Sequence, residues 1–189
     1  MQVFSKIKPK TEFEPNDKDI KFENDHLSIV EYEGWSIVNE PDMAVCIIYL
    51  IEQNKFILRY EYIPTFKYSE GQEYHMTVLS GTIEKGESPT KTLLREIEEE
   101  AGIVISPDVT IEFMKPLFCS KGNTAKYHPA IITLTESDYH EVIPEGDGSE
   151  SEDKSKTAKL EVRYLNAVNT SDLITEYLLD KFKDYINFD

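Results

Sequence analysis

Residues 95–102 read REIEEEAG and place four glutamates, Glu96, Glu98, Glu99 and Glu100, within five positions. Like charges at i,i+4 on a helix repel by about 0.2–0.5 kcal/mol per pair, so such crowding calls for a reason. On a helical wheel with Glu96 at the origin, Glu99 falls near about −60° and Glu100 near about +40°. Three carboxylates therefore share one face, while Glu98 points away from it. Arg95 stands four residues before Glu99 and three before Glu98, within reach to orient one of them. A hard divalent cation takes oxygen ligands and leaves its other positions to water and substrate phosphates. Helix carboxylates at i, i+3 and i+4 supply those oxygens, and the cation relieves their repulsion. The alternative reading of the same run is a solvated glutamate-rich helix surface.

The helix that must position these groups is bounded by strong local signals. Ser88 is the predicted N-cap and Pro89 sits at the first helical position, where a missing N–H costs nothing. Gly102 is the predicted C-terminal stop. Leu93, Leu94, Ile97 and Ala101 form the predicted apolar face.

Around this helix the chain reads as strands. Short strand-like pieces, IKF, LSIVEY and WSIV, occupy residues 20–38 with turn signals at Asn24-Asp25 and Glu33-Gly34. MAVCIIYLIE (43–52) is nearly continuous in apolar residues and reads as a strand buried on both faces. FILRYEYI (56–63) follows, then a polar loop holding Pro64 and Gly71, YHMTVL (74–79) and a glycine-bearing loop beginning at Ser80. Further strands are predicted at 109–118, 129–135 and 159–165, and a second helix from about Asp172, with Leu173, Ile174, Tyr177, Leu178 and Phe182 facing the core. Residues 1–19 read as an arm, and the acidic, apolar-poor stretch 145–158 as a mobile loop. Strands with one inserted and one terminal helix indicate an α/β or α+β sandwich.

Bulk properties narrow the partners. The 189 residues carry a net charge of −16, with 40% hydrophobic and 30% charged residues. A chain this acidic offers no basic stripe to nucleic acid or to an anionic membrane. It still accommodates a phosphate-bearing small molecule if a divalent cation stands between them. Cys46 and Cys119 lack metal-ligand spacing and indicate a reducing compartment. The polar N-terminus is unlike a signal peptide, and no apolar run approaches the ~18 residues of a membrane span. The expectation is a cytoplasmic protein.

The upstream residues decide between the two readings of the glutamates. GTIEKGESPTKTLLREIEEEAGI resembles the Nudix box position for position. Gly81, Glu87, Arg95, Glu96, Ile97, Glu99, Glu100, Gly102 and Ile103 fill its nine defined positions. The resemblance implies an α/β/α sandwich with a mixed β-sheet, extended by an N-terminal antiparallel sheet. It implies hydrolysis of a nucleoside diphosphate linked to another moiety, using Mg²⁺ or Mn²⁺. It makes Glu96 and Glu100 metal ligands, Glu99 a ligand or base, the Ser80 carbonyl a further ligand and Glu87 a weaker one, with Arg95 orienting the glutamates.

Outside the box the layout is similar to that of the ADP-ribose pyrophosphatase branch. This implies residues 1–40 as an arm and dimerisation sheet and 41–189 as the hydrolase domain, in a homodimer. ADP-ribose, split to AMP and ribose 5-phosphate, is the first substrate implied. GDP-mannose, NADH, other nucleotide sugars and a non-catalytic metabolite sensor are the alternatives. The sequence departs from the branch where Arg59-Tyr60-Glu61-Tyr62 replaces Arg-Gln-aromatic-Arg, and where Lys121 follows Ser120 in place of proline. The branch's catalytic base comes from the loop before the last core strand, where Glu150, Glu152 and Asp153 are candidates. Arg59 and Lys121 are candidate phosphate contacts, and Trp35 and Tyr60 candidate platforms for a base.

Overall fold

The computed structural model describes residues 19–143, 159–163, 168 and 170–186. The chain gathers into two compact units. One contains the N-terminal segment through Pro41 with Phe118–Lys126; the other contains Asp42–Leu117 and Tyr127–Asp189.

In the smaller unit, β1 (Ile20–Glu23), β2 (Ser28–Tyr32) and β3 (Trp35–Asn39) form an antiparallel sheet in that order. The first turn is closed by the Asn24 side chain, which accepts from the backbone N–H groups of His26 and Leu27, each at 2.9 Å. The second turn has positive φ at both Glu33 (51°) and Gly34 (81°), the tight hairpin geometry whose twist suits paired strands.

The larger unit is built on β4 (Met43–Leu50), β5 (Lys55–Tyr62), β11 (Lys126–Leu134) and β13 (Lys159–Arg163), ordered β11-β4-β5-β13. The sheet is mixed: β11 runs parallel to β4, while β5 is antiparallel to both β4 and β13. Two further strands, β6 (Tyr74–Thr77) and β7 (Leu79–Thr82), pair antiparallel with β5 and β4. Helix α2 (Pro89–Ala101) covers one face, where Leu93, Ile97 and Ala101 meet Ala44, Cys46, Ile48 and Ile57. Helix α3 (Leu173–Ile186) covers the other, where Ile174, Leu178 and Phe182 meet Val45, Ile47, Phe56 and Leu58. The even and odd residues of β4 thus feed two separate cores, which is why that strand reads as an unbroken apolar run. This is the expected α/β/α sandwich with an N-terminal antiparallel sheet. Among the described residues, no helix is long and apolar enough to cross a membrane.

Several local expectations change. Residues 64–70, expected as loop, form helix α1 (Pro64–Glu70), with Pro at its start and Gly71 in the left-handed region (φ 71°) closing it. None of its residues is buried, so it carries no apolar period to read. The glycine loop expected from Ser80 is still strand through Thr82. The single strand expected over 109–118 is only β9 (Glu112–Phe113) and β10 (Leu117–Phe118), separated by Pro116, which lacks the N–H a ladder needs. The short pair β8 (Ile103–Ile105) and β12 (Tyr139–Glu141) was not anticipated. Leu94 is 38% exposed and Leu173 76% exposed, so neither faces the core. In α2 the stripe is 93-97-101, at strict i+4 spacing; in α3 Leu179 is buried, while Leu173 lies outside the stripe. Residues 1–18 and 144–158, read as arm and loop, lie outside the described residues.

Candidate active site

The loop leading into α2 is shaped by Gly86 (φ 85°) and by the Glu87 N–H donating to Glu84 O at 2.9 Å. Ser88 then caps the helix, its side chain accepting from Lys91 N at 3.2 Å, with Pro89 behind it as expected. At the far end Gly102 turns left-handed (φ 62°), and its N–H reaches Glu98 O and Ile97 O. These caps fix the helix ends, and with them the direction in which each glutamate leaves the backbone.

Glu96 lies directly over β7. The register places Gly81 opposite Ala44, and a Cβ on Gly81 would overlap the Glu96 side chain. A glycine is required there so that the carboxylate can lie against the strand. Ser80, the neighbouring strand residue, pairs opposite Val45 and is partly buried.

Arg95 collects three carboxylates. Its Nη1 donates to Glu96 Oε1 at 2.8 Å and to Glu99 Oε2 at 3.1 Å, while Nη2 reaches Glu87 Oε2 at 3.4 Å. Of the two partners offered by helical spacing, the arginine takes Glu99; Glu98 is exposed, as the wheel places it. Glu87 is only 4% exposed, and its Oε2 also accepts from the buried Thr92 hydroxyl at 2.8 Å. The Thr92 and Arg95 hydrogen bonds hold its carboxyl down at about 2. Its oxygens are thereby committed to the loop–helix junction, which sets it apart from Glu96 and Glu100.

Glu100 has a different arginine. Arg59 on β5 places Nη1 against Glu100 Oε1 and 3.4 Å from Glu61 Oε2. All three side chains are largely buried. Glu61 in turn accepts from the Thr77 hydroxyl at 2.5 Å, across the β5–β6 pair. Arg59, a candidate phosphate contact in the sequence, thus stands in a largely buried ion pair within the glutamate cluster. Burial pushes the Glu100 carboxyl up to about 8; Arg59 opposes the shift, while Glu96 and Glu61 add to it. Beneath it Cys46 is completely buried, its thiol pushed up by burial and by Glu100, so it is inert at neutral pH.

Two observations bear on a cation. Among the described residues, no three His, Cys, Asp or Glu side chains stand together as a ready-made metal site. Glu100 Oε2, however, is buried with no hydrogen-bond partner, and an unsatisfied buried acceptor is costly. The two agree once the arginines are considered, because Arg59 and Arg95 occupy the carboxylates that a cation would draw together. Glu96, wedged over Gly81, and Glu100, with one oxygen unsatisfied, fit a hard divalent ion; Glu99, at 30% exposure, is the most open of the three.

The other sequence candidates fall elsewhere. Strand alternation puts Arg59 and Glu61 on the α2 face, and Tyr60 with Phe56 and Leu58 on the α3 face. There Tyr60 stacks on Tyr74 (centroids 5.8 Å apart, 25° between planes). Tyr60 is therefore not brought to the glutamates. Trp35 opens β3 opposite Tyr32 and is 76% exposed; Lys121 is exposed in a turn. Both belong to the smaller unit. Glu150, Glu152 and Asp153 lie outside the described residues. Sequence reading missed Glu61, Thr77 and Thr92. Glu61 was findable, since two residues along a strand return to the same face as Arg59. Thr92 and Thr77 carried no local signal.

A family model of the NUDIX domain matches residues 40–168. A solved crystal structure of an ADP compounds hydrolase is similar to this chain with a TM-score of 0.56, at 18% identity, over 85% of this chain and 84% of that one. At that identity the likeness is one of fold. Among curated proteins no sequence match reaches significance.

Proposed function

Because the chain belongs to the NUDIX domain family, and is thereby a pyrophosphohydrolase, we propose that it cleaves a nucleoside diphosphate linked to another moiety, ADP-ribose being the first substrate to test. The observation that carries this reading is the buried, unpartnered Glu100 Oε2 on the same helix face as Glu96 and Glu99. A helix surface built only for solubility has no reason to bury a carboxylate oxygen without a donor. The fold likeness to an ADP compounds hydrolase supports starting with an ADP-containing substrate. Tyr62 and Lys121, which stand where the branch carries arginine and proline, are the reason to test GDP-mannose and NADH beside it.

The proposed division of labour follows the geometry. Glu96 and Glu100, with the Ser80 carbonyl, hold Mg²⁺ or Mn²⁺. When bound, the cation offsets charge on the pyrophosphate oxygens during in-line displacement and acidifies a water. Arg95 fixes Glu96 and Glu99 in place through its Nη1 contacts at 2.8 and 3.1 Å. Glu99 keeps its second oxygen to accept a proton from the attacking water, unless an acidic residue at 150–153 takes that part. Glu87, locked by Thr92 and Arg95, holds the loop to the helix. Trp35 and Lys121 keep their proposed roles in stacking on a base and contacting a phosphate. We read the protein as a cytoplasmic homodimer acting on small nucleotide-linked molecules, with nucleic acid and membrane outside its range because of its charge.

The test is a substrate panel of ADP-ribose, GDP-mannose, NADH and nucleoside triphosphates, assayed for phosphate-containing products with EDTA and with added Mg²⁺ or Mn²⁺. Turnover should vanish in EDTA and return with metal. Turnover unchanged by chelation, or none on any substrate with metal present, would overturn the proposal.

A further inference from the structure

Two arginines serve the glutamate cluster, and they are placed differently. Arg95 is on the helix itself and holds Glu87, Glu96 and Glu99 together. Arg59 reaches in from β5 and pairs with Glu100, the carboxylate whose second oxygen has no hydrogen-bond partner. The same Nη1 stands 3.4 Å from Glu61 Oε2. Glu61 is itself anchored, through the Thr77 hydroxyl at 2.5 Å. Arg59 thus lies between two carboxylates, one on the helix and one on its own strand.

We propose that Arg59 is a stand-in cation for the Glu100 position and passes to Glu61 when a divalent ion enters. The inference rests on the metal-dependent reading of the site given above. The physics is that of like charges in a poorly solvated place. Glu61, Glu96 and Glu100 crowd one another; Arg95 answers Glu96, and the Arg59 guanidinium alone stands between Glu61 and Glu100 while no metal is present. A divalent ion held by Glu96 and Glu100 would repel the guanidinium that pairs with Glu100. An arginine without another partner would then be a buried, unpaired charge, which is strongly unfavourable. Glu61 removes that penalty. The guanidinium already touches its range, so the exchange needs a small rotation about the end of the side chain, and Thr77 keeps the receiving carboxylate in place. Arg59 and Glu61 are accordingly positioning residues that set how readily the site takes up metal.

The two residues should act on metal binding with opposite signs, and Glu61 should act only through Arg59. Mn²⁺ binding to the intact chain, without substrate, is read by electron paramagnetic resonance. Arg59→Gln removes the competitor and should bind Mn²⁺ about fivefold or more tighter. Glu61→Gln removes the alternative berth and should weaken binding by a similar factor. The double variant should match Arg59→Gln alone. A Glu61→Gln loss that persists in the Arg59→Gln background would show a plain field effect and overturn the inference. So would unchanged or weaker binding by Arg59→Gln. If Arg59→Gln fails to fold, the unaltered protein decides: the Arg59 Nε resonance should shift with the Mg²⁺ titration, and a resonance that stays put overturns the exchange. Failure of the unaltered protein to bind Mn²⁺ would instead overturn the metal reading, and the inference with it.

Discussion

Gly81 and Glu96 occupy nearly the same space: a Cβ on the strand residue would fall within the side chain of the helix residue. The strand therefore dictates where the first of the candidate ligands sits, and the glycine allows the approach.

Gly81→Ala should displace Glu96 and lower both Mn²⁺ affinity and turnover by more than tenfold, with an overpacking cost of about 1–3 kcal/mol. Gly86→Ala is the matched control. Gly86 has positive φ (85°) with open space around it, so the substitution should cost about 1 kcal/mol in backbone strain and leave metal affinity intact. Melting temperature and Mn²⁺ binding, measured on both variants, distinguish a displaced ligand from a loss of stability. Equal metal affinity in the two would remove the steric argument.

Glu100→Gln keeps shape and helix propensity while removing a charge from the cluster. Turnover should fall by at least about a hundredfold, on the scale of losing charge stabilisation at a transition state. Glu98→Gln makes the same change on the exposed side of α2 and should leave turnover within about twofold. Stopped assays on ADP-ribose and GDP-mannose compare the two. Similar activity in both variants would mean that the crowding in REIEEEAG has nothing to do with metal.

The raised Glu100 carboxyl makes a prediction about pH with a definite sign. Its folded value lies near 8 against an ordinary 4.5, so the folded protein holds the proton more tightly than the unfolded chain. The resulting stability is complete below about pH 4.5 and is lost as pH rises through about 8. In EDTA, the melting temperature of the unaltered protein should therefore fall between about pH 5 and 8, and that of Glu100→Gln should fall less. The two should be alike near pH 5, with Glu100→Gln the more stable near pH 8. Parallel melting curves across this range would contradict the shift.

The small sheet is the place to look for self-association. Phe22 is 51% exposed, Tyr32 46% and Trp35 76%, and Tyr32 and Trp35 face each other across β2 and β3. So much exposed aromatic surface on one small sheet marks it as a candidate contact face. A homodimer is expected by light scattering at micromolar concentration, and the double substitution of Tyr32 and Trp35 by serine should shift it toward monomer. A monomeric, fully active parent protein would rule out a dimer-dependent site.

Much of this molecule is written in local sequence. The box residues, the Ser88-Pro89 start and Gly102 stop of α2, and the continuous apolar run of β4 are each readable within a short window, because caps, glycine conformations and strand burial act over a few residues. The helical wheel likewise separates Glu98 from its neighbours without any structure, since it needs only the period of the helix. What the window does not contain is the partner of each side chain. Arg59 and Glu100 are 41 positions apart, and their pairing depends on β5 and α2 lying across the same face of one sheet. Separation along the chain also hides why Gly81 is glycine: its constraint is Glu96, which reaches it only after the helix folds back over β7. Tyr60 shows the converse, an aromatic in a promising stretch that one step of strand alternation turns to the other face, away from the glutamates. Local chemistry chose the groups, but which carboxylate is buried, and which arginine answers it, depends on desolvation and charge spacing that arise only when distant segments pack together.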